Sequence, residues 1–513
     1  MPVVQQGAIN TTALIVPDLY VQIVPPSVYL LNGVPTNVAG VVGTASWGPV
    51  NSPVIASAMS DYASQFGPIM PRKYDMGTAV AAAVLQGANN FRCVRVTDGT
   101  DTAANTTIQT NCLTATARYT GGLGNGLQLI INTGSQANSW KVTIVMPGIM
   151  PEQFDNLAAG LTGNAVWQAI ASAVNTGING LRGPSKLVIL SAGVGTAAPQ
   201  TGSATLSGGT DGANISSSTL LGQDTMPRQG MYALRNSGAS VAMLTDCDDS
   251  TTWSTQVAYG LSEGTYMQMV GPAGDTITNA AATKASAGID NFDAKLFFGD
   301  WIYWNDTVNG GVRLISPQGF NLGLLANLSP QFSGLNKQIQ GIVGTQKSMQ
   351  NQVYSGAELQ VLGQAGIDLI TNPVPGGSYF GPRFGRNSSS NAVINGDNYT
   401  RMTNYIVYTL NAGMGRFVGF LNEANPPNPQ LPTDVELQAG ETLSAFLDGM
   451  QKQKMIGPYG VKCDPGNNPA DRVGLGYLQA DVQAQYLSIV QFFIVNMEGG
   501  QTVNVTIGQT QGA

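Results

Sequence analysis

The chain has 513 residues, 43% of them apolar and only 10% charged, with 64 glycines and no histidine, whereas an average soluble domain is about one quarter charged. Its net charge of −7 comes from 23 basic and 30 acidic residues with no Lys/Arg-rich run, so nucleic-acid binding lacks its electrostatic footprint. Without histidine the chain lacks the commonest general base, the commonest metal ligand and the usual partner of a nucleophilic Ser or Cys, so neither catalysis nor a cofactor is expected.

Residues 1–24 read as an extended arm, in which "TTALIV" and "YVQIV" are β-prone pieces broken by Pro17 and stopped by Pro25-Pro26. Fully extended, such an arm reaches roughly 80 Å. "MPVVQQGAIN" has neither the basic start nor the apolar core of a signal peptide. No span of about 18 apolar residues occurs, so direct membrane insertion is not expected.

Residues 25–96 read as the N-terminal part of a core. "GVVGTASWGPVNSP" (40–53) begins like a phosphate-cradling loop. Such a loop opens a helix, but Pro49 and Pro53 keep this chain extended, so a buried strand and its exit turn are expected. A helix at "MGTAVAAAVLQGA" (76–88) and a strand at "FRCVRV" (91–96) follow. Residues 97–204 turn Thr/Gly/Asn-rich, with short strands such as "LQLIIN" and "WKVTIVMPG" and a helix at "NAVWQAIASAVN" (164–175), as in an inserted β-rich domain. "GGLGNG" (121–126) lacks the Lys-Ser/Thr of a P-loop and reads as a turn.

In residues 205–345 strands ("SVAMLT", "AKLFFGDWIYW") alternate with helix ("TNAAATKASAGID"), which predicts a layered α/β core. "TDCDDS" crowds Asp246, Asp248 and Asp249 around Cys247. It reads as a polar turn or as an ion site, and it lacks the glycine and distal glutamate of a calcium loop. "GLSEG" (260–264) fits the nucleophile elbow around Ser262, but with no histidine it reads as the end of a helix.

Residues 346–500 carry a helix at 398–414, a strand at "RFVGF" (416–420) and a long helix at 434–455 starting at Asp434. Leu443, Phe446, Leu447 and Met450 make one apolar face of the long helix. Lys452, one turn beyond Asp448, forms either a solvated pair or part of a docking surface, and Lys454 extends the apolar face as a core-edge lysine. Residues 501–513 form a second arm. Its "QTVNVTI" (501–507) puts Val503, Val505 and Ile507 on one face. Strands at the two ends either complete their own domain or add to a neighbour's sheet. Cys93, Cys112, Cys247 and Cys463 form no CxxC pair, which fits free thiols and synthesis in a reducing cytoplasm. The low charge points to surface that becomes covered in a polymer.

The ordered series "PPSVYLLNG…VAGVVGTASWGPVNSP", "ARYTGGLGNGLQL", "MPEQFDNLA", "LSGGTDG", "SPQGFNLGLLANLSPQFSGLNKQIQGI", "FLNEANPP" and "VKCDPGNNP" resembles the sheath protein of contractile phage tails and related contractile injection machines. The chain departs from that pattern where "FGPRF" lacks a tryptophan and where "AQYLSIVQFFIVNME" replaces the usual ending. The resemblance implies an α+β multidomain subunit with a subtilisin-like layered core that has no protease chemistry. It implies a helical, six-fold tube of stacked rings around an inner tail tube, contracting by repacking to drive that tube through a host envelope. The arms, with Val21, Ile23, Val503, Val505 and Ile507, are expected to link neighbouring copies, and Lys452 and Lys454 are candidates for contact with the inner tube. The implied partners are further copies of the chain, the inner tube protein, and the baseplate and tail terminator proteins. The implied location is a virion tail assembled in a bacterial cytoplasm. Another tail or baseplate structural protein is the alternative.

Overall fold

The computed structural model describes residues 30–424, 428–495 and 497, and the backbone of residues 3–6 and 20–23. Four short runs, Ala39–Gly43, Val241–Leu244, Tyr266–Val270 and Ala294–Phe297, are buried at every position. Near-continuous apolar runs of this kind form parallel strands covered on both faces. They do so here in a six-stranded sheet ordered Ala294–Phe297, Tyr266–Val270, Val241–Leu244, Ala39–Gly43, Phe91–Arg95, Val54–Ala56. All neighbours are parallel except the last pair. One face carries Val41, Phe91, Cys93 and Met243 under the helices Met76–Val84 and Gln318–Asn327. The other face carries Val42, Val94, Leu244 and Met267 under Leu220, Met231 and Tyr259. The strand expected before Trp47 and that expected at 91–96 therefore lie with the strand of "SVAMLT" in one sheet, and the helix expected at 76–88 covers it.

"AKLFFGDWIYW" does not form one strand. It splits into Ala294–Phe297 and Ile302–Asp306, which is the middle strand of a separate antiparallel sheet with Gly311–Ile315 and Ile342–Thr345. The break falls at Gly299, where a Cβ would stand 1.9 Å from the Pro272 carbonyl oxygen. Asp300 then fixes the turn by accepting from the Lys347 amide at 2.9 Å and the Tyr354 hydroxyl at 2.8 Å.

The chain between Phe91–Arg95 and Val241–Leu244 builds two antiparallel sheets. One has four strands, ordered Ile149–Leu157, Trp140–Met146, Gln128–Thr133, Gly202–Thr205; the other has three, ordered Val188–Ala192, Leu113–Ala117, Asn105–Gln109. Together with the helix Asn164–Thr176 they share one core around Trp167, Ile144, Phe154 and Leu190.

After residue 396 come the helix Asp397–Met414, the helix Asp434–Lys452 and the antiparallel hairpin Ile456–Lys462/Asp481–Tyr486. The second helix starts where expected because Thr433 caps it: Thr433 Oγ1 accepts from the Glu436 amide at 3.3 Å, and the Thr433 amide donates to Glu436 Oε2 at 3.1 Å. Its apolar face packs Phe446, Leu447 and Met450 on Met402, Ile406 and Ile456. "RFVGF" is not a strand. Residues Gly415–Phe417 make a turn of 3-10 helix that buries Phe417 on Ala439 and Cys463, and no strand among the described residues pairs with it.

The helical part is pinned to the sheet by a buried ion cluster. Lys295 Nζ lies 2.7 Å from Asp368 Oδ2 and 3.1 Å from Asp397 Oδ2, and all three side chains are buried. The Tyr266 hydroxyl donates to Asp397 Oδ1 at 2.6 Å. Amides of Leu369, Phe384 and Gly385 donate to the Asp368 carboxylate.

Candidate assembly surfaces

The motifs that look like ligand loops hold the parts of the chain together. Ser46, just before Trp47, donates to Asp211 Oδ2 at 3.0 Å; Arg72 pairs with the same carboxylate at 2.5 Å, and the Gly122 amide donates to its other oxygen at 2.6 Å. "GVVGTASWGPVNSP", "GGLGNG" and "LSGGTDG" thus converge on one aspartate. Trp47 is buried in the core of the two antiparallel sheets and meets the Tyr119 ring edge-on at 5.3 Å. Arg95, fully buried, donates to the carbonyls of Ala45 at 2.9 Å and of Gly48 and Thr120 at 2.8 Å. Gly121 has φ +128°, and a Cβ there would stand 2.1 Å from the Ser46 carbonyl oxygen. These glycines permit close packing of backbone on backbone.

Ligands in open parallel sheets bind outside the carboxyl ends of the strands. Here that end of the central strands is closed by the chain itself. The Thr44 amide and hydroxyl both donate to the Tyr74 carbonyl, at 2.8 and 3.0 Å, and the Met76 amide donates back to the Thr44 carbonyl at 3.0 Å. The aspartates of "TDCDDS" have separate partners. Asp246 accepts from the Ser316 amide at 3.2 Å, Asp248 pairs with Lys73 at 2.9 Å, and Asp249 accepts from the Thr251 amide at 3.0 Å. Among the described residues no group of three or more acidic, Cys or His side chains could hold a metal ion.

Ser262 sits exposed in the last turn of the helix Trp253–Glu263, its hydroxyl donating to the Tyr259 carbonyl at 3.0 Å. A nucleophile elbow needs a strand-to-helix turn. A cleft of about 380 Å³ under the helix Asp397–Met414 contains Glu263 and Arg401. Glu263 is paired with Arg235 at 2.9 Å, and Arg401 donates to the Leu328 and Ser329 carbonyls.

Lys452 is on the helix as expected, three-quarters exposed and 2.5 Å from Asp448 Oδ2. That hydrogen bond, with the aspartate's charge, holds its pKa above the ordinary lysine value. Lys454 does not extend the apolar face. The helix ends at Lys452, and Lys454 is exposed in the left-handed conformation at φ +56°, so its Cβ no longer follows the helical spiral. Of the arm residues, Val21 and Ile23 fall in the strand Tyr20–Ile23, which pairs in parallel with Val3–Gln6. Val503, Val505 and Ile507 lie outside the described residues.

The surface missed in the sequence is the run Leu487–Met497, "LSIVQFFIVNM". It carries no charge, and Phe493 is 86% and Met497 89% exposed. It leaves the hairpin past Asn398, whose side-chain amide donates to the Leu487 carbonyl at 3.1 Å. Its signal in the sequence is eleven residues without a charge or an alternating polar face. The hairpin before it is a two-stranded sheet whose outer edges pair with no other strand among the described residues.

No family model and no curated protein sequence matches the chain. Solved structures do. A sheath tail protein from Desulfitobacterium hafniense has a TM-score of 0.56 at 15% identity, over 91% of this chain and 99% of its own. A sheath tail protein from Listeria innocua has a TM-score of 0.59 at 13% identity, over 89% and 96%. The sheath of an extracellular contractile injection system (PVC) in its contracted state has 0.53 at 11%, over 95% and 98%. The chain therefore has the fold of contractile tail sheath proteins along nearly its whole length. Its structural neighbours are structural proteins of contractile tails and injection systems.

Proposed function

We propose that the chain is the structural subunit of a contractile tail sheath. It polymerises helically around an inner tail tube and contracts by subunit repacking, driving the tube through a host envelope. The sheath fold over nearly the whole chain carries this reading. The exposed, uncharged run Leu487–Met497 supports self-association, because apolar patches of this kind mark interaction sites.

The six-stranded sheet and its helices are the subtilisin-like core, built from residues 25–96 and 205–345, with 97–204 as an inserted outer domain and 346–500 as the C-terminal sheath domain. Residues 1–24 and 501–513 are linking arms that add strands to neighbours through Val21, Ile23, Val503, Val505 and Ile507. The hairpin Ile456–Lys462/Asp481–Tyr486, whose outer edges pair with no other strand among the described residues, is favoured as the acceptor. Lys452 and Lys454 face the inner tube, and baseplate and terminator proteins close the polymer at its ends. No catalytic step, cofactor, nucleic acid or membrane insertion is involved. The particle is a virion tail assembled in the bacterial cytoplasm.

Negative-stain microscopy of the purified chain tests this. Long hollow tubes are expected, and monomers persisting under all conditions would overturn it. A chain lacking residues 1–24 is expected to stay folded and fail to form tubes.

A further inference from the structure

Among the described residues Lys284 and Lys295 are both buried, and they face different groups. Lys284 donates to the carbonyls of Ala365 at 2.6 Å and Ser388 at 2.8 Å. Lys295 instead meets two carboxylates in a site closed to solvent.

The backbone fixes the nearer carboxylate. Asp368 lies beside the strand Ala294–Phe297, its amide donating to the Leu296 carbonyl at 2.9 Å and its carbonyl accepting from the Phe298 amide at 2.8 Å. The two side chains therefore meet between neighbouring extended segments, with Lys295 Nζ 2.7 Å from Asp368 Oδ2. The Phe297 ring centroid lies 5.2 Å from the same nitrogen. Asp368 Oδ1 accepts from the amides of Leu369 at 2.8 Å and Phe384 at 3.0 Å, and Oδ2 accepts from the Gly385 amide at 2.9 Å. Asp397 Oδ2 lies 3.1 Å from Nζ, and the Tyr266 hydroxyl holds its other oxygen. A nucleophile, an acyl carbon, two donors on one acyl oxygen and a proton carrier are thus fixed together, as acyl transfer requires.

We propose that this site modifies itself: Lys295 Nζ condenses with the Asp368 carboxyl to form an amide cross-link within the chain, and Asp397 carries the proton. At rest burial favours the neutral amine, but attraction to Asp368 and Asp397 outweighs it and raises the lysine's pKa. The reaction therefore begins with transfer of one ammonium proton to Asp368 Oδ2. The freed lone pair of Nζ attacks Cγ and the C–N bond forms. The carbonyl electron pair moves onto Oδ1, where the Leu369 and Phe384 amides stabilise it. The nitrogen gives a second proton to Asp397 Oδ2, which passes it to Asp368 Oδ2. The Cγ–Oδ2 bond breaks, water leaves, the carbonyl re-forms at Oδ1 and Asp397 is again a carboxylate. One ammonium and one carboxylate have become one amide and one water. Two charges whose burial is costly give way to a neutral group. The bond forms within a single folded chain and is independent of the sheath reading.

Intact mass spectrometry of the full-length chain, unfolded in acid after purification, tests this. The expected mass is one water below that of the sequence, and trypsin is expected to release a branched peptide joining residues 285–313 to 348–383. Lys295→Met is expected at its full mass. A wild-type chain at full mass overturns the cross-link. So does a missing water that persists in Lys295→Met, because that loss lies elsewhere, as at an Asp-Gly succinimide. Asp397→Asn is expected to keep the wild-type circular-dichroism spectrum and to stay at full mass. A cross-linked Asp397→Asn chain, or one that has lost that spectrum, overturns the part given to Asp397.

Discussion

Two regions of the C-terminal part invert the usual distribution of charge and apolar surface. At its junction with the core sheet, Lys295, Asp368 and Asp397 are all buried, with Asn404 donating to a nearby buried Asp293 at 2.8 Å. On the outside, the eleven residues Leu487–Met497 carry no charge and expose Val490, Phe493, Ile494 and Met497. Charge fixes internal parts of the chain against each other, and apolar surface is left exposed. In a chain with few charges, each buried one is concentrated where geometry must be held. The proposed repacking of subunits would need rigid parts and adhesive surfaces, and the two regions would divide those tasks.

The largest expected effect comes from breaking the buried cluster. Lys295→Met leaves two carboxylates buried without their cation, and removing one partner of a buried pair costs about 3–5 kcal/mol. Amide donors still hold Asp368, so the lower end of that range is expected. Adding Asp397→Asn to this variant should restore part of the loss, because one uncompensated charge is then removed. Thermal unfolding of the single and double variants measures this, and an unchanged melting temperature for Lys295→Met would show that the cluster pins nothing.

The outer region should respond in the opposite sense. Replacing Phe493 and Ile494 with Ser leaves the isolated chain as stable as before, because neither side chain is buried in it. In the polymer, each loses about 2 kcal/mol of apolar burial per contact, so the protein concentration needed for tubes rises steeply. Light scattering against concentration reads the shift. A fall in monomer stability instead would mean the run packs on its own chain.

How much of this was legible in the sequence follows from what burial does to residue patterns. Val241–Leu244 and Ala39–Gly43 read as strands because a strand covered on both faces has no polar alternation. That these two runs, about two hundred residues apart, lie side by side is a long-range pairing that neither run encodes alone. "RFVGF" reads as a strand but turns, because Phe417 buries on Ala439 and no partner strand lies beside it among the described residues. The apolar face of the helix Asp434–Lys452 was visible from its spacing, whereas the fate of Lys454 depended on a helix end three residues earlier than the pattern suggested. The run Leu487–Met497 was missed for a different reason. Apolar sequence shows that a segment will be covered, and only a structure distinguishes covering by its own chain from covering by another.

A smaller effect should come from a single group at the junction. Burial raises the Asp293 carboxyl to about 7, against which the hydrogen bond from Asn404 works only partly. In the unfolded chain this group ionises near the ordinary aspartate value, so between about pH 4 and 7 the folded state binds more protons than the unfolded one. Stability therefore falls as pH rises through that window, and the loss is complete above it. Asp293→Asn keeps an acceptor for Asn404 and removes the titration. The variant should gain up to about 4 kcal/mol at pH 8 and nothing at pH 4. Unfolding in denaturant at both pH values checks this, and equal shifts at both would assign the effect to packing.

The smallest expected effect separates the two readings of Lys452. Its ammonium pairs with Asp448 one turn away, with most of the side chain in solvent, and exposed pairs of this kind are screened by water and salt. Lys452→Ala should leave the melting temperature of the isolated chain unchanged. If the lysine faces an inner tube, the same substitution lowers co-sedimentation of the chain with tube protein, most strongly at low ionic strength where screening is weakest. Lys454→Ala tests the second candidate separately, since that residue lies beyond the helix in the left-handed conformation. Loss of co-sedimentation with Lys452→Ala alone places the helix against the tube. Equal retention by both variants leaves Lys452 as a solvated pair and moves the tube contact elsewhere on the subunit.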